Sequence, residues 1–285
     1  MNDYQLLDTG DGEKLESFSD YKIVRPDPRV IWGKCQPKDL WEKADAVFAR
    51  SADWRIADGR WIFKTKPPKP WQYYYKNLTF NLRPTDFRHV GVFPEQTVNW
   101  DWLENAIDHQ PLKVLNLFAY TGGATMAATK AGAKVTHVDS SKSIISWARE
   151  NCLSSGLASN AVRWIEDDAY KFVLREQRRA SFYDGIILDP PRFGHGAKGE
   201  IWKLEDDLQK LVMTCKSILS ATPKFVLMSL YTADLSPIAI GQLFDTVFGP
   251  LGGKIEFSEL TIKEASTNRL LPSGIVARWN LESHG

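Results

Sequence analysis

The stretch "KVLNLFAYTGGATMAATKAGAKVTHVD", Lys113 to Asp139, decides the fold: two apolar strand-like runs flank an alanine-rich helical one. "KVLNLF" and "KVTHVD" have the length and the branched, apolar composition of buried strands. Gly122 and Gly123 stop the first run and open the helix, where residues without a Cβ permit a sharp turn. Strand, helix, strand in that order is a crossover unit, and such units join parallel neighbours in a sheet.

Working outward, the alternation continues. Strands are expected at "AVRWIED" (161–167), "YDGIILD" (183–189) and "KFVLMSL" (224–230), with helices at 141–156, 168–179, 200–220 and 237–249. Two further strand-like segments, "KIEFSELTIK" and "GIVARWN", follow with no helix between them. The expected fold class is therefore α/β, a seven-stranded, mostly parallel, Rossmann-like sheet ending in an antiparallel pair. Ahead of it, "YQLLDTG", "KLESFSDYKIVRP", "PKDLWEKADAVFA", "GRWIFKTK" and "WQYYYKNLTFNLRP" read as strand, strand, helix, strand, strand. This predicts a small α+β domain over 1–95 and a larger domain over 96–285, with "KPPKP" (66–70) a stiff connector.

Composition narrows the function classes. With 285 residues, 43% of them hydrophobic, the chain can bury a large core. No run reaches the roughly 18 apolar residues of a membrane span, and the acidic start "MNDYQLLDTGDGEKLES" lacks signal-peptide character. A cytoplasmic location is expected. Three scattered cysteines, Cys35, Cys152 and Cys215, argue against a disulfide framework, and five histidines show no metal-ligand spacing, so no metal is expected. A net charge of +1 places any nucleic-acid footprint locally.

Ligands of open α/β sheets bind beyond the carboxyl ends of the strands. Those ends carry "NLFAYTGGAT", then Asp139, then "EDDAY", then "DPPRFGHG". The G-x-G-x-x-G spacing that a dinucleotide pyrophosphate asks for is absent. Asp139 stands where a carboxylate accepts two ribose hydroxyls, and Asp168 could meet an adenine amino group, so an adenosine without a demanding phosphate fits better than NAD. Each feature also has a plain structural reading: a double glycine is a tight turn, and an acid at a strand end is a helix cap. Four of them at four successive strand ends carry the functional reading.

The order "LNLFAYTGGAT", "HVDSS", "EDDAYKFV", "ILDPPRFGHG" resembles the class I S-adenosylmethionine-dependent methyltransferases, and within them the ribosomal-RNA large-subunit enzymes related to the bacterial 5-methylcytosine methyltransferase. The likeness covers about residues 90 to 280, and the small domain ahead of it is similar to the strand-strand-helix-strand-strand domain of those enzymes. The resemblance implies S-adenosyl-L-methionine as cofactor. It implies that Ala119, Tyr120, Thr121, Gly122 and Gly123 surround the methionine, that Asp139 and Ser140 hold the ribose, and that Asp168 and Ala169 meet the adenine. It places Asp189 and Pro190 at the transferable methyl and makes Phe93 and Gln96, in "GVFPEQ", lid contacts.

Methyl transfer from a sulfonium is an in-line displacement, which rewards alignment over strong acid or base. Asp189 and Pro190 each precede a proline and are held extended, so Asp189, Pro190 and Pro191 form a rigid acceptor-rich end to their strand. Such a loop suits an amino nucleophile. Arg192 follows, with Phe193 one place later, which departs from the acid-Pro-Pro-aromatic motif of nitrogen methyltransferases. Attack at pyrimidine carbon 5 instead needs a cysteine thiolate. The resembling enzymes carry it just after the fifth strand, where this chain reads Met228, Ser229, Leu230. Nitrogen methylation is therefore the expectation.

On the substrate side, residues 54–90 hold eight basic against two acidic residues, with nine aromatics among them. Lysine and arginine neutralise phosphates and exposed rings stack on bases, so the segment reads as a single-stranded RNA surface, against the alternative that its aromatics are core. Arg192, Phe193, His195 and Lys198 line the loop where a flipped base would enter, and Arg269 in "STNRLLPSG" is a further contact. A glycine-rich lid is the other reading of that loop, and an idle surface histidine the other reading of His195. The sequence points to a methyltransferase acting on RNA, which the resemblance makes ribosomal; a protein or small-molecule substrate, a non-catalytic RNA-binding module and a nucleotide-dependent oxidoreductase are the alternatives.

Overall fold

The computed structural model describes residues 3–50, 59–86, 88–195, 201–231 and 234–281. Its contacts divide the chain into two units, Met1–Glu95 with Thr261–Pro272, and Gln96–Leu260 with Ser273–Gly285. The segment 261–272 thus groups with the first unit.

The first unit begins with β1 (Tyr4–Gly10), β2 (Glu13–Phe18) and β3 (Tyr21–Pro26), joined by two-residue turns. Asp11 and Gly12 both have positive φ, 54° and 77°, which matches the twist of a tight hairpin. A helix, α1 (Lys38–Glu42), leads to β4 (Ala46–Arg50), parallel to β3, and β5 (Gly59–Phe63) completes a sheet ordered β1-β2-β3-β4-β5. β6 (Gln72–Tyr75) and β7 (Leu78–Asn81) form a separate hairpin. Two expectations change here. "KLESFSDYKIVRP" is two strands, because Ser19 turns the chain with φ 54°. "AVFAR" is not the tail of the helix but β4, since its apolar residues alternate inward and outward at a period of two.

The second unit opens on α2 (Thr97–Ile107), a helix the sequence reading missed although Trp100, Leu103 and Ile107 recur at helical spacing and are buried. Then come β8 (Lys113–Leu117), α3 (Gly123–Lys130), β9 (Lys134–Asp139), α4 (Lys142–Ser154), β10 (Val162–Glu166), α5 (Ala169–Arg178) and β11 (Gly185–Leu188). A short pair, β12 (Phe193–His195) and β13 (Ile201–Lys203), precedes α6 (Leu204–Lys216), β14 (Phe225–Leu230), α7 (Pro237–Phe248), β15 (Lys254–Lys263) and β16 (Leu270–Asn280).

The sheet order is β10-β9-β8-β11-β14-β16-β15, with the first five strands parallel and β16 antiparallel to β14. The expected seven-stranded α/β sheet is what forms. β11 and β14 are buried along their whole length, as strands covered by helices on both faces must be. Leu208, Leu211 and Phe244 pack on one side, and Leu103, Ile107 and Ala128 on the other. Helix α6 starts four residues later than expected. The Trp202 indole donates to the Pro191 carbonyl at 2.6 Å and the Leu204 amide to the Arg192 carbonyl at 2.9 Å, which draws Ile201–Lys203 into a strand. Glu205, Asp206 and Asp207 then fill the first turn, where negative charge meets the positive end of the helix dipole.

Candidate active site

The sheet order reverses between β8 and β11, and a crevice opens at such a switch point outside the carboxyl ends of the strands. Register brings the sequence features together there. Leu117 pairs with both Leu188 and Val138, Asp139 with Glu166, and Leu188 with Met228. The residues that follow, Phe118, Asp189, Asp139 and Ser229, are therefore neighbours along one edge.

After β8 the backbone winds through three left-handed residues in five: Phe118 at φ 57°, Tyr120 at 49° and Gly122 at 87°. Two of these are not glycine, a conformation costing about 1–2 kcal/mol each, so the loop must be held from outside. The Ala119 amide donates to the Val138 carbonyl (3.1 Å), the Tyr120 amide to Asp139 Oδ2 (2.9 Å), and Asn151 Nδ2 to the Thr121 carbonyl (3.0 Å). Gly123 is required by packing, because a Cβ there would lie 2.6 Å from the Trp100 ring. Helix α3 then starts with no side-chain cap. Its first amides suit a carboxylate such as that of a methionine moiety.

Asp139 accepts from the Ser141 amide through Oδ1 and from the Tyr120 amide through Oδ2, both at 2.9 Å. The Ser140 amide also faces this carboxylate, and a ribose diol would use the acceptor positions that remain. Burial pushes its carboxyl above the ordinary aspartate range, opposed by the backbone hydrogen bonds. Ser140 beside it is exposed. Asp168 caps α5, accepting the Lys171 amide at 2.8 Å, and Ala169 behind it is buried.

Behind the loop lies a polar ladder inside the apolar sheet. Asn116 of β8 and His137 of β9 are register partners, and both meet Thr125 of α3: Asn116 Nδ2 donates to its Oγ1 at 2.9 Å, and His137 Nδ1 lies 2.9 Å from the same oxygen. Burial pushes the His137 imidazole pKa down to about 3. Sequence reasoning passed over these residues. Their signal was two polar side chains in the middle of adjoining apolar strands.

At the end of β11 the Ser229 hydroxyl donates to Asp189 Oδ1 at 3.1 Å, and Pro190 is buried. Gln96 Nε2 reaches Ser229 Oγ at 3.0 Å and Tyr231 Oη at 2.7 Å. Gln96 thus meets the strand end that carries Asp189. Phe93 belongs to the first unit, where its ring tilts against His89 at 5.1 Å. Arg192 is exposed and ion-paired with Glu205 (3.1 Å) and with Asp234, and Phe193 beside it is exposed. His195 contributes backbone pairing to β12, and Lys198 lies outside the described residues.

Arg269 is placed differently from the expectation. Within the first unit its Nε donates to Glu264, its Nη1 to the Gly33 carbonyl and its Nη2 to Asp8, Glu264 and the Thr9 carbonyl, so all three nitrogens serve internal contacts. The aromatic segment divides likewise. Trp71, Tyr73 and Phe80 are core, Phe63 and Tyr74 are exposed, and Trp54 and Phe87 lie outside the described residues.

Comparison with known proteins gives the family. The family model for S-adenosylmethionine-dependent methyltransferases matches residues 51–230. The chain is 35% identical over 249 residues to a ribosomal RNA large subunit methyltransferase K/L of Shewanella baltica, covering 79% of this chain and 34% of that protein. It is 28% identical over 217 residues to the protein of the same name from Pseudoalteromonas translucida, covering 68% and 30%. It spans about a third of the length of these curated relatives. Among solved structures, a SAM-dependent methyltransferase from Agrobacterium tumefaciens superposes with TM-score 0.91 at 42% identity, over 98% of this chain and 90% of that one. A Streptococcus mutans structure described as a putative SAM-dependent methyltransferase has TM-score 0.74 at 17% identity, over 98% and 75%, and shares the fold. The glycine turn at Gly122 and Gly123, Asp139 and the Asp189-Pro190-Pro191 strand end all lie within the residues that family model matches, and the chain belongs to the S-adenosylmethionine-dependent methyltransferases.

Proposed function

We propose that the chain transfers the methyl group of S-adenosylmethionine to a nitrogen of ribosomal RNA. The observation that carries the nitrogen target is the neighbour of Asp189: a serine hydroxyl at 3.1 Å, where attack through pyrimidine carbon 6 would need a thiolate. Cys152 and Cys215 of the same unit are buried, and burial raises both thiols, Cys152 to about 11. Neither suits a nucleophile.

The cofactor supplies an electrophilic methyl on a sulfonium. The uncapped start of α3 would hold its carboxylate and Asp139 its ribose hydroxyls, which would set the methyl near the end of β11. Asp189 accepts an N–H of the target nitrogen, so that its lone pair points at the methyl carbon. The N–C bond forms as the S–C bond breaks, and the proton leaves the nitrogen to the carboxylate or to water. Ribosomal RNA as substrate rests on the names of the Shewanella and Pseudoalteromonas relatives.

Mass spectrometry of nucleosides from ribosomal RNA, with and without the gene, tests the reading, together with methylation of the deficient RNA by purified protein. One N-methylated nucleoside should disappear and be restored. A restored 5-methylpyrimidine refutes the nitrogen target, and an unchanged spectrum with no transfer in vitro refutes the RNA substrate.

A further inference from the structure

Asp189 stands at the end of a chain of hydrogen bonds that runs through three elements of the second unit. Arg278 of β16 donates from Nη2 to Asn99 Oδ1 at 2.6 Å, and Asn99 Nδ2 donates to Gln96 Oε1 at 2.8 Å. Gln96 Nε2 donates to Ser229 Oγ, and Ser229 donates to Asp189. The fold explains the path. Arg278 is the register partner of Leu227, two residues before Ser229, so Arg278 and Ser229 share one face of the sheet. Helix α2 covers that face, since Leu103 and Ile107 pack with Leu227 and Val276. Gln96 and Asn99, three apart at its start, are neighbours on its surface.

The chain has one possible direction. A guanidinium has no acceptor, so Asn99 must turn its oxygen to Arg278 and its NH2 to Gln96. Gln96 must then accept through Oε1 and donate through Nε2. Ser229 receives that donation on its oxygen, and its hydrogen is left for Asp189. Asn99 and Ser229 are buried, so water does not compete, and Arg278 is further anchored 5.3 Å over the Trp102 ring. Arg278 therefore orients, through two amides, a hydroxyl 3.1 Å from the carboxylate at the methyl-transfer position.

We infer that Gln96 and Ser229 are positioning residues for methyl transfer, a polarised relay that holds a donated hydrogen on Asp189 Oδ1 and so keeps its carboxylate ionised and fixed in plane. The inference rests on the reading that Asp189 faces the target nitrogen. A donor on a carboxylate favours its charged form, and a fixed plane aims the remaining acceptor positions.

The test reads the Asp189 titration directly, by carbon-13 NMR of full-length protein labelled in aspartate carboxyls and assigned with Asp189→Asn. Ser229→Ala should raise the Asp189 pKa by about one unit, and Ser229→Thr should keep it near the original value. Gln96→Glu puts an acceptor where the donor stood and should also raise it, partly by simple charge repulsion. That rise should shrink when Ser229→Ala is already present, because only the repulsion then remains. With ribosomal RNA from a strain lacking the gene as substrate, kcat of Ser229→Ala should fall roughly tenfold with KM for S-adenosylmethionine unchanged. An unmoved Asp189 titration in Ser229→Ala, or equal Gln96→Glu shifts in both backgrounds, overturns the inference. Shifted titrations with no transfer to RNA by the unaltered protein would uphold the relay and refute the RNA substrate.

Discussion

Acidification should destabilise the second unit through one side chain, His137, and the size of the effect follows from its surroundings. The imidazole is fully buried, its Nδ1 is 2.9 Å from Thr125 Oγ1, and its Nε2 meets no hydrogen-bond partner among the described residues. Charging it would put a second N–H where no acceptor waits, and burial, helped by Arg149, lowers its pKa from 6.5 to about 3. In the unfolded chain the same group takes up its proton near pH 6.5. Stability from the neutral imidazole is therefore fully present above about pH 6.5 and is withdrawn as pH falls towards 3, at about 1.4 kcal/mol per pH unit. At about pH 4.5, two units below the unfolded pKa, roughly 2.7 kcal/mol is gone, equivalent to roughly 5–11 °C in Tm for a unit of this size. Calorimetric or urea unfolding of the unaltered protein and His137→Gln across this range isolates the effect, since Gln keeps polar atoms there but does not titrate. His89 of the first unit, also lowered to about 3 by burial, is common to both proteins and cancels. The gap in unfolding free energy between them should change by roughly 2.3 kcal/mol from pH 6.5 to about 4.5, since about 0.4 kcal/mol is already gone where the unfolded imidazole is half protonated. Parallel curves would refute the reasoning.

Three further outcomes follow from the same structure. Asp139→Ala should weaken S-adenosylmethionine binding about 100-fold in calorimetry, the worth of two charge-assisted hydrogen bonds. Because burial raises the Asp139 pKa, affinity of the unaltered protein should begin to fall on acidification at a higher pH than an ordinary aspartate would cause; independence from pH down to about 4 would contradict this. Arg269→Ala should cost about 2–3 kcal/mol in unfolding, because it removes the cation that neutralises the buried carboxylates of Asp8 and Glu264 while their other donors remain. Lost RNA affinity with unchanged stability would show that the guanidinium serves substrate instead. Under a maleimide, exposed Cys35 should react while buried Cys152 and Cys215 wait for unfolding; equal rates for all three would contradict their burial.

Much of the architecture was legible because it is written locally. Apolar runs of strand length alternating with helical ones specify a parallel sheet wherever they fall, and the acids and glycines at the strand ends needed only that sheet to become neighbours. The errors also have local causes. β4 was absorbed into a helix because alanine, lysine and glutamate before it favour helix, and α2 went unread because its buried face includes Asn99. The start of α6 was misplaced because a tryptophan indole and a proline carbonyl, eleven residues apart, draw Ile201–Lys203 into a strand.

Sequence alone determined the α/β class, the strand-end carboxylates Asp139, Asp168 and Asp189, and the lack of a cysteine at Met228–Leu230, since these depend on residue type and on order along the chain. Tertiary structure decided what the polar side chains do. Asn116 meets Thr125 and His137, Gln96 meets Ser229 across 133 residues, and Arg269 closes on Asp8 across 261. A buried donor or acceptor must find a partner wherever the folded chain supplies one, and periodicity carries no record of which partner that is.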